Sequence, residues 1–209
     1  MTLSDSPDTT AALLLPLIPD ISGNDAPARP EATLSIGYCH CCGIRAQLLW
    51  KGGGAVEREV CTLCWLTQNL DSATAAHGHL AWLPDALASD LQNLQRRALI
   101  ALRSNNRATR TEGKRVWNWM ARHAREVEGM WGTSRASEFA AAMRRLAPPR
   151  RRLMQQRLEG CVLILPHDVF DDLTLLLPRG RTAETAVLTP CWSTYTRSDL
   201  YAKPPHPLD

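Results

Sequence analysis

Two short stretches decide how this chain is read: Cys39-His40-Cys41-Cys42-Gly43 and Cys61-Thr62-Leu63-Cys64. Each contains C-x-x-C. A two-residue spacer lets the backbone turn back as a tight knuckle, so both sulfurs of a pair can meet one ion. Two knuckles complete a tetrahedron of thiolates, the closed coordination of a structural zinc. Gly43 supplies the φ > 0 backbone such a turn often needs just after its second ligand. The interval Gly43–Val60 falls within the roughly 15–20 residues expected between paired C-x-x-C knuckles. The spacing assigns Cys39, Cys42, Cys61 and Cys64 to one structural zinc ion. A rubredoxin-like iron centre uses the same ligands, and softness and availability favour zinc. Cys41, one residue from Cys39, is the poorer second ligand. A thioredoxin-like site would use one C-x-x-C rather than two, and disulfides belong to oxidising compartments. Cys161 and Cys191 stand alone and read as small buried residues.

The 209 residues are enough for one real core, and a hydrophobic content of 44% is that of a globular chain. A net charge of +3 is too small to imply nucleic acid by itself. Seven tryptophans against two phenylalanines point first to an indole-filled core and second to a partner-binding surface. The apolar run Ala11–Leu15, broken by Pro16, is far shorter than the roughly 20 residues of a membrane span. Asp5 and Asp8 precede the leucines, so no signal peptide is expected and the expected location is the cytoplasm. Contact with a membrane machine would go through another protein.

The expected fold class is α+β, mostly helical, with a small four-cysteine zinc-knuckle β element. Residues 1–33 are expected as a flexible segment, 34–178 as the zinc-bearing domain and 179–209 as an irregular tail. The apolar patch Leu13–Ile18 either packs on the domain or enters a partner's groove. Between the knuckles, Gln47–Trp50 and Val56–Val60 read as strands joined at Lys51-Gly52-Gly53-Gly54. Leu80–Leu83 reads as a buried strand. Leu87, Leu91, Leu94, Ala98 and Leu102 trace one helix face, with Asp90, Gln92, Gln95 and Arg96 turned away. A second helix is expected from Thr111 to Met130, and a third after Ser134 as N-cap, stopped by Pro148-Pro149. Arg150–Glu159 is a fourth, Cys161–Leu165 a strand, and Asp168–Leu177 a last amphipathic piece.

The order of these pieces resembles the IcmJ/DotN subunit of type IVB (Dot/Icm) secretion systems. The resemblance rests on Cys39–Gly43, Cys61–Cys64, Leu70-Asp71-Ser72, the strand Leu80–Leu83, and Pro84-Asp85 leading into the helix of Leu87–Leu102. Glu138–Met143 and Leu158–Pro166 extend it, so that it covers roughly Tyr38 to Leu175. It implies an HNH-nuclease-like zinc fold that does not cleave. It further implies a structural role in a bacterial secretion or conjugation coupling complex, docked on a segment of the coupling ATPase, with recruitment to the inner membrane through that partner. The chain departs from the family in its shorter interval between knuckles, in the cysteine-free run Trp65–Asn69, and in Ala75–His79 where the family has glycines.

Two rival readings come from the residues. An HNH-type nuclease needs a histidine to activate water and further His, Asn or Asp side chains for a divalent ion. Gly43–Val60 contains none of these. His77 and His79, with Asp71, form the other candidate cluster, and their more ordinary role is a solvated loop edge; His123 reads as a helix-surface residue. A nucleic-acid-binding zinc module is suggested by Arg144, Arg145, Arg150, Arg151, Arg152 and Arg157, although no aromatic is interleaved for stacking. An arginine surface of this kind suits an acidic partner segment equally well. The expectation is a non-enzymatic adaptor.

Overall fold

The structure, a computed structural model, describes residues 14–23, 30, 37–52 and 58–188, and the backbone of Ala32–Thr33. Asp5, Asp8, Ala11, Leu13, Gly53, Gly54, Val56 and Cys191, which entered the sequence reading, lie outside the described residues. The architecture is α+β and mostly helical, as expected.

Strands β1 (Ala32–Thr33), β2 (Leu49–Gly52) and β3 (Arg58–Val60) form an antiparallel sheet in which Trp50 lies opposite both Ala32 and Val60. Strand β2 begins two residues later than the sequence suggests, and β3 ends at Val60 as expected. Helix α1 (Thr62–Gln68) follows β3 directly. Two indoles fasten it to the sheet: Trp50 Nε1 donates to Thr62 Oγ1 at 2.9 Å, and Trp65 Nε1 donates to the Lys51 carbonyl at 3.1 Å. This ββα unit carries all four predicted ligands at its two entry turns.

A short 3-10 turn (Ala75–His77) leads into β4 (His79–Trp82), which pairs antiparallel with the distant β5 (Cys161–Ile164), Leu80 opposite Leu163 and Ala81 opposite Val162. Alternation along the strands gives this pair two working faces. Leu80, Cys161 and Leu163 join the core under the ββα unit, whereas Ala81, Val162 and Ile164 face a second core under the long helices.

Those helices are α2 (Ala88–Leu102) and α3 (Arg107–Arg122), antiparallel neighbours joined by a short turn in which Asn106 caps α3 through Ala108 N and Thr109 N. They approach closely because Gly113 has no side chain. A Cβ there would stand 2.8 Å from Ala101 Cβ and 3.0 Å from the Ala98 carbonyl. The expected single helix Thr111–Met130 breaks at His123, and α4 (Ala124–Trp131) continues beyond it. His123 is buried at that junction, edge-on to Trp119, rather than on the surface. Helix α5 (Ala136–Arg144) is entered through Arg135, because the Ser134 hydroxyl is engaged with His79 instead of capping. Pro148 and Pro149 open α6 (Pro148–Arg157), where their missing N–H groups would be unpaired in any case. Between β5 and the end of the described chain, only a 3-10 turn (Leu173–Leu175) and a short α7 (Ala183–Ala186) are regular.

Two expectations about the ends change. The segment 14–23 is part of the domain: Leu17 and Ile21 are buried, Leu15 N donates to the His40 carbonyl, and Asp20 exchanges backbone hydrogen bonds with Thr67 and Leu70. Packing on the domain is therefore the outcome for the described part of the apolar patch, and 1–33 is not flexible throughout. Likewise the tail expected to be irregular from 179 contains α7, closed by a Thr182–Thr185 capping box, with Ala186 buried. The six described tryptophans are all buried or half-buried, so the indoles serve the interior.

The largest correction concerns α2. Gln92, Gln95 and Arg96 are not turned to water but are 0%, 1% and 2% exposed. The helix lies between the two cores, so it has two inward faces. Gln95 supports β5 like a short extra strand: its Nε2 donates to the Leu163 carbonyl at 2.9 Å and its Oε1 accepts from Leu165 N at 2.7 Å. Gln92 Nε2 donates to Thr67 Oγ1 of α1. Gln95 is thereby paired at both ends, whereas Gln92 Oε1 is buried without a partner among the described residues.

Candidate metal centre

The first knuckle is a tight turn in which Gly43 N donates to the Cys39 carbonyl at 2.9 Å and Cys39 N to the Ile44 carbonyl at 2.8 Å. Gly43 adopts φ +69°, the left-handed conformation anticipated for it. His40 does not point at the thiols. Its backbone N donates to the Glu59 carbonyl, and its Nδ1 accepts from Glu59 N at 3.0 Å, which fixes the knuckle to β3. The second knuckle is built by the change from strand to helix: Cys61 is the residue before α1, and Cys64 lies in the first turn.

Cys39, Cys42, Cys61 and Cys64 converge, with all four sulfurs within 4.8 Å of one another. The Cys42–Cys61 sulfurs are 3.6 Å apart. A tetrahedral site with metal–sulfur bonds of about 2.3 Å has edges of about 3.8 Å, so this separation is that of ligands sharing an ion. All four residues are at most 3% exposed. Four buried cysteines can therefore hold one metal ion. Among the described residues they are also the one His, Cys, Asp and Glu group gathered closely enough to do so. Cys41 is buried beside the site but lies outside this set of four; Gln68 Nε2 donates to its sulfur at 3.5 Å.

By themselves the thiols share protons unevenly. Hydrogen bonds from Cys39, Cys61 and Cys64 hold Cys42 well below the ordinary thiol range. Burial first, and then Cys39 and Cys42, push Cys61 well above it. Cys64 is also pushed up, first by its hydrogen bond to Cys39. Four thiolates this close cannot all carry charge unless a cation sits between them, which is how a metal ion would unify the set.

Sequence reasoning missed the arginine at this centre. Arg96 Nη2 lies 2.8 Å from Cys61 Sγ and 3.8 Å from Cys42 Sγ, with Nη1 donating to Asn93 Oδ1 at 2.6 Å. Asn93 Nδ2 in turn holds the Cys42 carbonyl at 3.1 Å. Burial works against the Arg96 charge, but Cys61, Cys42 and Cys64 more than offset it and raise its pKa above the usual value. A divalent ion on four thiolates carries net charge −2, and the guanidinium compensates half of it while orienting the sulfurs. No signal in the sequence marks it: Arg96 lies in the polar run Gln95-Arg96-Arg97, which reads as a solvent face until Cys61 and Cys42 are brought opposite it.

The remaining candidates do not assemble. His79 Nδ1 is 3.0 Å from Ser134 Oγ, His77 is exposed, and Asp71 is engaged by Ser22 and Arg144, so the three form no ion site. Cys161 is buried, as expected, and burial pushes its thiol up to about 12. In the arginine cluster, Arg144 pairs with Asp71 at 2.9 Å and Arg151 approaches Asp20 at 3.9 Å. Among the described residues, no helix is long and apolar enough to cross a membrane. Compared with known proteins, the chain matches no family model, no curated protein and no solved structure.

Proposed function

We propose that this chain is a non-enzymatic, zinc-stabilised adaptor of a bacterial type IVB-like secretion or conjugation coupling complex, docking on a segment of the coupling ATPase. The observation that carries the non-enzymatic part is the closure of the metal centre. Its four ligand positions are filled by buried thiols, Arg96 covers one side, and among the described residues no histidine or carboxylate shares the group. A catalytic zinc site keeps a position open for water or substrate, and this donor set leaves none. His40, the histidine within the first knuckle, is occupied by the Glu59 backbone, which speaks against HNH-type cleavage. Zinc rather than iron is the proposed ion, on the grounds of availability and a purely structural role. The HNH-like character of the fold and the identity of the partner rest on the resemblance over Tyr38 to Leu175.

In this reading the ion fixes the ββα unit, and that unit presents the rest of the domain. The docking face we assign is α6. It buries none of its own residues, and Leu153, 53% exposed, stands among Arg150, Arg152 and Arg157. An apolar anchor ringed by arginines suits an acidic segment with one apolar side chain. Tagged full-length protein purified from its native host should contain one zinc per chain and bring down the coupling ATPase. Leu153→Asp should lose that ATPase while keeping its zinc. Recovery of no coupling ATPase, together with divalent-ion-dependent cutting of DNA, would overturn the proposal.

A further inference from the structure

The other strongly charged surface is the outer side of α3, which the sequence reading did not single out. Every fully exposed residue of this helix is either basic (Arg107, Arg110, Lys114, Arg115 and Arg122) or uncharged. Its carboxylate, Glu112, sits half-buried on the flank. None of the five cations forms an ion pair among the described residues, in contrast to Arg144 at the end of α5 and Arg151 of α6. Arg110 hydrogen-bonds the Ser104 and Asn105 carbonyls, which anchors it without neutralising it. Arg125 of α4 extends the row and, with Arg115, Asn118 and Arg122, lines a shallow depression of about 540 Å³. Sixteen residues of helix make a straight positive edge of about 24 Å.

We infer that the outer face of α3 binds the phosphate backbone of duplex DNA without reading its sequence. Three observations select this occupant. The face is positive along its whole length, which matches a polymer with one charge at every step better than a single acidic patch. It contains no exposed large apolar side chain of the kind that anchors protein interfaces; Leu153 provides one on α6, but nothing does so on α3. It also offers no aromatic for stacking unpaired bases: Trp119 is buried, and Trp117 is half-buried with its Nε1 committed to the Leu165 carbonyl. A helix of about 10–12 Å diameter matches the roughly 12 Å major groove of B-form DNA, whereas the A-form groove of duplex RNA is too narrow. Lys114, Arg115 and Arg122 would then meet phosphates along the groove walls.

This inference stands apart from the adaptor reading, because α3 and α6 can be altered separately and neither change touches the metal centre. The test is fluorescence anisotropy of full-length protein with a labelled DNA duplex of mixed sequence. Between about 50 and 200 mM salt, log K should fall against log[salt] with a slope of about −4, as for four to five phosphates neutralised. Changing Lys114, Arg115 and Arg122 together to Gln should weaken binding at least tenfold and reduce the slope by about 3 units, with melting and metal content unchanged. The matching change of Arg150, Arg152 and Arg157 to Gln should leave the slope as it was. Absence of binding at about 50 mM salt, or loss on altering α6 but not α3, would overturn the inference. So would competition by polyglutamate, single-stranded DNA or duplex RNA as effective as that by unlabelled duplex DNA.

Discussion

Around the cysteines, a three-stranded sheet of very short strands and the seven-residue α1 must hold their shape with little regular structure. Across α2, the layer of α2, α3 and the β4–β5 pair is made of long helices over Leu91, Leu94, Val116 and Met120, all buried. Elements as short as those of the ββα unit rarely sustain themselves by apolar burial alone, and four thiols in their midst allow coordination free energy to act as folding free energy. The helical layer needs no such help. Its stability comes from close packing, to the point that Gly113 cannot acquire a methyl group without a contact of 2.8 Å. The contrast teaches that one chain uses two means of stabilisation, and each can be attacked alone.

The heaviest blow should be Cys61→Ala. It removes a ligand and the nearest partner of Arg96, and the metal term at stake is on the order of 10 kcal/mol or more. The variant should lose its metal, and amides of residues 39–68 should exchange freely while α3 stays protected. An unchanged melting temperature with full metal content would refute the metal-centred account. Met120→Ala attacks the other side. Met120 is wholly buried, and its truncation should lower stability by about 2–5 kcal/mol while one metal per chain is retained after refolding. If metal were lost along with stability, the two regions would not be separable.

The smallest expected effect is at the loop after α1, where the N-terminal segment and α5 meet over the first core. Asp71, its side chain 2% exposed, accepts hydrogen bonds from Ser22 N at 2.9 Å, Ser22 Oγ at 2.6 Å and Arg144 at 2.9 Å. Burial raises its pKa, but Ser22 and Arg144 more than offset this and hold it below the ordinary 3.8. A depressed folded pKa gives stability that is present above the unfolded value and is lost as pH falls through the folded one. Asp71→Asn should cost about 1–3 kcal/mol at neutral pH, with the gap to the parent protein closing below about pH 4 in denaturant titrations. A gap of constant size across that range would rule out the carboxylate's charge as the cause.

What the sequence made legible was local. Two residues between cysteines fix a knuckle wherever the rest of the chain goes, so Cys39, Cys42, Cys61 and Cys64 could be paired without a fold. Apolar periodicity likewise located α2 and the buried strand at Leu80. What escaped depended on partners far along the chain. Gln92, Gln95 and Arg96 look solvent-facing until Thr67, Leu163 and Cys61 arrive opposite them. Leu17 and Ile21 look like part of a loose tail until α1 offers its backbone. Ser134 looks like a cap until His79 claims its hydroxyl. Pro148-Pro149 lies beyond the end of α5, as the sequence suggests, but also forms the first turn of α6, two residues before the expected start at Arg150, because a proline pair suits both places.

Arg96 has a further consequence for how the molecule comes together. A guanidinium enclosed at 2% exposure is tolerable only opposite negative charge, and stranding it would cost several kcal/mol. Helix α2 therefore settles against the ββα unit with its guanidinium set directly on the sulfurs of Cys61 and Cys42. The long helix and the thiol cluster thus make each other's burial tolerable, the cation on one answering the charge on the other.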